Sequence, residues 1–104
     1  MYRRLNVYAE EARKGRPTAT ALQYDPDSDS APRVVATGQG KVAERILELA
    51  RENNVPIHDD PQLAAALSLL DVEQEIPPEL YRVVAEVLAY IYRVGKLGKK
   101  IMEK

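Results

Sequence analysis

The chain has no cysteine, which excludes disulfides and thiolate metal sites and fits a reducing cytosol. Phe and Trp are absent as well, so its six tyrosines carry all the aromatic packing. A surplus of positive charge is missing: the formal net charge of −1 argues against a dedicated nucleic-acid binder. No apolar run approaches the roughly 20 residues that a membrane helix needs. The longest candidates, Ala64–Leu70 and Val83–Tyr92, are too short or are broken by Ser68 and Glu86. The first residues carry Arg3, Arg4, Glu10, Glu11 and Arg13 without an apolar stretch, which is not a secretory signal. A soluble protein without direct membrane insertion is expected. There is one histidine, His58, and no serine-centred elbow, so nothing supports nucleophilic catalysis and the chain is not read as an enzyme.

What is present suits one small domain: 104 residues, 45% apolar and 30% charged. Leu5, Tyr8, Ala9 and Ala12 recur at helical spacing, so a short helix is expected within the charged segment 1–16, ended by Lys14-Gly-Arg-Pro17. Thr18–Tyr24 alternates and predicts a strand. Asp25–Ser30 is a run of turn formers, and Arg33–Thr37 is a second, β-branched strand. The two make an antiparallel hairpin. Lys41–Asn53 is an amphipathic helix, with Val42, Ala43, Ile46, Leu47 and Ala50 on one face. Val55–His58 is a third short strand. Asp60 as N-cap and Pro61 behind it open a helix to about Leu70. Val72–Ile76 reads as a fourth short strand. Pro77-Pro78 starts the longest helix, which Gly95 ends, and residues 95–104 form a basic tail. The order β-β-α-β-α-(β)-α implies an α/β fold, a small mixed sheet with helices packed on it.

Four places invite a functional reading. Gly38-Gln-Gly-Lys41 lies between a strand and a helix with Asp59-Asp60 about twenty residues on, the outline of a dinucleotide fingerprint. The alternative reading of the chain, a small nucleotide-binding or regulatory protein, rests on this turn. Against it, the domain is too short for repeated βαβ halves, Asp60 is explained as a cap, and a tight turn needs such glycines anyway. Asp25–Asp29 mimics half of a calcium loop, but Ser30 and Ala36 stand where its glycine and bidentate glutamate belong. His58, with Asp59 and Asp60 as its only nearby oxygen donors, reads as structural or solvated, so neither a metal nor a cofactor is expected. On the last helix, Leu80, Val83, Val84, Val87, Ile91 and Val94 form a core stripe at ~100° per residue. Tyr81, Ala85, Leu88 and Tyr92 form a second apolar stripe beside it, which either packs on a neighbouring helix or is an exposed docking groove.

Ala21-Leu-Gln-Tyr-Asp25, Ala31-Pro-Arg-Val-Val-Ala-Thr-Gly38, Gln74-Glu-Ile-Pro-Pro-Glu-Leu-Tyr81 and Ala85-Glu-Val-Leu-Ala-Tyr90 stand in matching order and spacing. From about Thr18 to Arg93 they resemble the cytosolic domain of the flagellar and type III secretion export-switch family, the FlhB family. The resemblance implies a four-stranded sheet surrounded by helices over residues 17–94. In that family the domain hangs from a membrane part and cleaves itself at an Asn-Pro-Thr-His loop, where the asparagine amide cyclises on its own carbonyl carbon. Here the corresponding region is Lys14, Gly15, Arg16 and Pro17. Neither Lys14 nor Arg16 can form a succinimide, so self-cleavage is not expected. The family also carries a hydrophobic patch implicated in recognising export substrates, and the matching positions are Ala31, Pro32, Ala85 and Leu88, with Tyr81 and Tyr92 as secondary candidates. The sequence resembles free-standing versions of the domain that lack both membrane part and cleavage motif. That implies a cytoplasmic protein, peripheral at the inner-membrane export apparatus; a monomer is expected, with the wide apolar arc of the last helix as a homodimer surface a third possibility. Its partners would be export gate proteins and export substrates.

Overall fold

Leu5-Asn-Val-Tyr-Ala-Glu10 forms the first strand, β1 (Leu5–Glu10). The structure, a computed structural model, describes residues 5–10, 16–25 and 30–87. The short helix expected in residues 1–16 is thereby corrected. Leu5, Tyr8 and Ala9 fit a helical period, but Leu5, Val7 and Ala9 also alternate with Asn6 and Tyr8, and tertiary pairing decides between the two. β1 pairs antiparallel with β2 (Thr18–Gln23) on one side and parallel with β4 (Ile57–Asp59) on the other. It is covered on both faces, so Val7, Tyr8 and Ala9 are all buried and the strand needs no polar side.

β2 pairs antiparallel with β3 (Arg33–Gln39), with an irregularity at Ala21/Leu22. The sheet order is β3-β2-β1-β4, a mixed four-stranded sheet of the expected class. Its fourth member is β1, not the expected strand at Val72–Ile76. That segment contributes a single antiparallel bridge, Glu75 to Arg33. Glu73 has a φ of 77°, a left-handed conformation that no extended strand can continue through.

The helix α1 (Lys41–Glu52) follows β3 directly and buries Ala43, Leu47 and Ala50. Val42, expected on that buried face, is 54% exposed, because it lies at the flank of the apolar arc. Asn54, with a φ of 58°, reverses the chain after the helix. The Val55 N–H then donates to the Ala50 carbonyl (2.8 Å) and the Asn54 N–H to that of Arg51 (3.3 Å), a Schellman closure with asparagine in the place of glycine. Asp60 caps α2 (Pro61–Leu67) by accepting from the Leu63 N–H at 3.1 Å. This helix stops three residues before the expected Leu70.

Pro77 leads into a 3₁₀ turn, Pro78–Leu80, and residues 81–87 continue as α3. The rest of that expected helix, and the tail, lie outside the described residues. Two apolar layers flank the sheet. On one face Val7, Ala9, Ala19 and Ala21 meet Ala43, Leu47 and Ala50 of α1. On the other Tyr8, Leu22 and Val34 meet Leu63 and Leu67 of α2, together with Ile76 and Val84. Val83, expected in the core stripe, is 41% exposed; the sheet covers a narrower arc of α3, centred on Val84.

Candidate docking groove

Hairpin closure brings Tyr24, at the end of β2, near Ala31 and Pro32, which precede β3. The Pro32 carbonyl accepts the Ile76 N–H at 2.9 Å, which ties the segment before α3 to the same corner. The Pro77-Pro78 pair then starts α3 beside it, Pro78 standing where a helix has no use for an N–H. The result is a cleft of about 180 Å³ lined by Tyr24, Ser30, Ala31, Pro32, Ile76, Tyr81, Val84 and Ala85.

Ala31, Pro32 and Ala85, over fifty residues apart in sequence, therefore line one cleft, and Tyr81 joins them. Their exposure differs. Ala31 is buried and forms the wall, Pro32 is half-buried, and Ala85 and Tyr81 are open to solvent. Leu88 and Tyr92 lie outside the described residues. Sequence reasoning missed Tyr24, Ser30, Ile76 and Val84 as lining residues. Tyr24 and Ser30 could have been found, because they stand at the two ends of one hairpin loop. No ionisable acid or base other than tyrosine lines the cleft, so its chemistry suits an apolar side chain of a peptide and offers nothing to a phosphate. Behind Ile76 and Val84, in the same apolar cluster, Tyr8 is fully buried and its hydroxyl has no hydrogen-bond partner. Burial pushes its phenol far above the ordinary 10.0.

The region that the sequence resemblance sets against the family's cleavage loop stands at the other end of β2. Arg16 is exposed and its Nη2 donates to Gln39 Oε1 at 3.4 Å. Pro17 is buried, and its carbonyl accepts the Gly40 N–H at 2.8 Å. Lys14 and Gly15 lie outside the described residues. The neighbouring glycines have structural reasons. Gly40 has φ 61° and ψ −126°, a backbone that side chains strain. A Cβ on Gly38 would come within 2.2 Å of Val42 Cγ1. The Gly40 amide, which a phosphate would need, is already committed to Pro17. His58 packs edge-on against Tyr8, ring centroids 6.1 Å apart, with Nε2 at 3.8 Å from the Asp60 carboxylate. Among the described residues no group of three His, Cys, Asp or Glu is placed to hold a metal ion.

A four-stranded mixed sheet with α1 on one face, and α2 and α3 on the other, defines the cytoplasmic-domain fold of bacterial export-switch proteins. The chain belongs to the FlhB HrpN YscU SpaS family, whose model matches residues 17–91. It is 45% identical over 81 residues to YlqH of Bacillus subtilis, covering 78% of this chain and 87% of that protein. It is 51% identical over 79 residues to the flagellar biosynthetic protein FlhB of Escherichia coli, covering 75% of this chain but only 21% of that protein. The crystal structure of the cytoplasmic domain of FlhB from Shewanella putrefaciens superimposes with a TM-score of 0.79 at 35% identity. That match covers 90% of this chain and 70% of that one. The family is one of flagellar and type III export-switch components. Among the described residues no helix is long and apolar enough to cross a membrane.

Proposed function

We propose that this chain is a non-enzymatic component of flagellar or type III protein export. It acts in the cytoplasm, at the inner-membrane export apparatus, and substitutes for or supplements the cytosolic domain of the export gate. Its partners are export gate proteins and export substrates, and it holds substrate segments in the cleft between Ala31-Pro32 and Tyr81-Ala85. The observation that carries this reading is convergence: two sequence-distant segments, both matched in type to the family's substrate patch, line one apolar cleft. Self-cleavage has no part in it, because Lys14 and Arg16 lack the amide that would cyclise.

Ala85 is exposed, so Ala85→Asp leaves the fold intact while placing a charge where an apolar side chain would sit. The variant is expected to keep its melting temperature and to lose binding to purified early flagellar export substrates. It is also expected to lose complementation of a gate protein deprived of its cytosolic domain. Unchanged binding by a folded Ala85→Asp variant would refute the assignment.

A further inference from the structure

Among the described residues β3 is an edge strand, and its outer side is only partly used. The chain's own segment before α3 occupies the first part. Ile76 N–H bonds the Pro32 carbonyl, while the Val34 N–H donates to Gln74 and the Val34 carbonyl accepts from Glu73. The Arg33–Glu75 bridge sits within that contact. Glu73, in its left-handed conformation, then turns the segment away. Beyond Val34, no described residue pairs with the outer edge of β3.

The helix beside this open edge is apolar on the matching flank. Val42 is 54% exposed and Leu49 40%, one above the other at i and i+7. Gly38 fits under Val42, which places that flank over β3 and not over β4. Between the flank and the sheet lies a cleft of about 470 Å³, bounded by Leu5, Val35, Ala36, Ile46, Leu49 and Val55 among others. It lies on the opposite face of the sheet from the groove between Ala31-Pro32 and Tyr81-Ala85. An edge strand with an apolar helix flank alongside is the arrangement in which extended peptides are taken up by strand addition.

We propose that residues 35–39 of β3 and the Val42–Leu49 flank of α1 bind an extended peptide segment of a partner protein as an added strand. Three features select this occupant. Free backbone amides and carbonyls on an edge are satisfied by another extended backbone. The same edge already pairs with residues of the chain itself, Gln74–Ile76. At the far end of the open stretch stand Lys41 and Arg16, which favour an acidic residue on the incoming peptide. The alternate apolar side chains of the peptide enter the cleft beside Leu49, while its backbone pairs with β3. This surface is independent of the Ala31–Ala85 groove and stands or falls without it.

The test uses the full chain and a synthetic peptide of alternating valine and threonine ending in aspartate, with an analogue N-methylated at alternate amides. Fluorescence anisotropy is expected to show binding of the first peptide and a loss of about tenfold or more for the second. Amide exchange is expected to slow at those amides of residues 35–39 that point away from β2. Leu49→Asp, or Val42→Asp should the first variant melt early, is expected to weaken binding about tenfold with the melting temperature retained. Equal binding of the N-methylated analogue overturns the proposal, as does undiminished binding by the folded charge variant. Absence of binding overturns it too. A concentration-dependent dimer that protects the same amides without peptide would assign the edge to a second copy instead.

Discussion

The two faces of the sheet are filled in different ways. The α1 face is built mostly from small side chains: Ala9, Ala19 and Ala21 from the sheet, Ala43 and Ala50 from the helix, with Val7 and Leu47 as the larger members. The opposite face holds Tyr8, Leu22, Val34, Leu63, Leu67, Ile76 and Val84, all large. Small residues let α1 lie close to the strands, close enough that Gly38 has no room for a Cβ. They do not fill the space where α1 diverges from the sheet toward Leu5 and Asn53, and the cleft of about 470 Å³ remains there. The opposite face is filled so fully that a tyrosine hydroxyl is enclosed without a partner. Side-chain volume thus separates a face whose only cleft among the described ones is the groove of about 180 Å³ at its corner from one that keeps a cleft of about 470 Å³ between helix and sheet.

Truncation in the cluster of large side chains should have the largest effect. Leu67, with no exposed surface, is expected to cost about 2–5 kcal/mol as Leu67→Ala. Ile46→Ala, beside the open cleft and half-buried, should cost clearly less in the same urea titration. Equal costs would mean that both faces are packed alike, and the comparison would fail. Gly38→Ala probes the close approach under α1. The contact with Val42 is expected to cost about 1–3 kcal/mol, as overpacking does. Part of that loss should return in the Val42→Ala background, measured by a double-mutant cycle.

Gly40→Ala tests the link between β3 and α1. Open space surrounds the missing Cβ, so only the backbone is strained, and a loss of about 1 kcal/mol or somewhat more in thermal unfolding is expected. The smallest effect is assigned to Tyr8→Phe, which removes a hydroxyl that has no partner. Stability near pH 7 should change by less than about 1 kcal/mol, in either direction. The sign of the pH effect follows from burial. The folded state keeps the Tyr8 proton above pH 10.0, where the unfolded chain begins to release it, so stability should fall as pH rises past that point. In Tyr8→Phe this part of the alkaline decline should be missing. An alkaline profile identical to that of the parent protein would show that the phenol is not enclosed.

The helix α1, the hairpin strands β2 and β3, and the Asp60 cap were legible because each signal is local. A 3.6-residue stripe, a β-branched alternation and a capping side chain all operate within one turn or strand. β1 was misread for the opposite reason. Leu5, Tyr8 and Ala9 satisfy a helical period as well as an extended one, and a central strand covered on both faces shows no polar side to tell them apart. Val72–Ile76 failed in the other direction, since its strand-like composition does not reveal that Glu73 breaks the extension. For the groove, the sequence named Ala31, Pro32, Tyr81 and Ala85 through their resemblance to a family pattern. It could not name Ile76 and Val84, which reach the cleft only through the packing of α3.

By itself the sequence determined the class of fold, the hairpin, the two helices α1 and α2, and that neither Lys14 nor Arg16 can form a succinimide. These depend on periodicity, on turn and cap residues, and on which side chain can cyclise, all of them properties of short stretches. Only the tertiary structure decided that residues 5–10 are a central strand, that Val42 and Val83 face outward, and how far the described residues cover the outer edge of β3. Those outcomes depend on pairing and packing between residues far apart in the chain, and no local pattern encodes which neighbour will cover a given face.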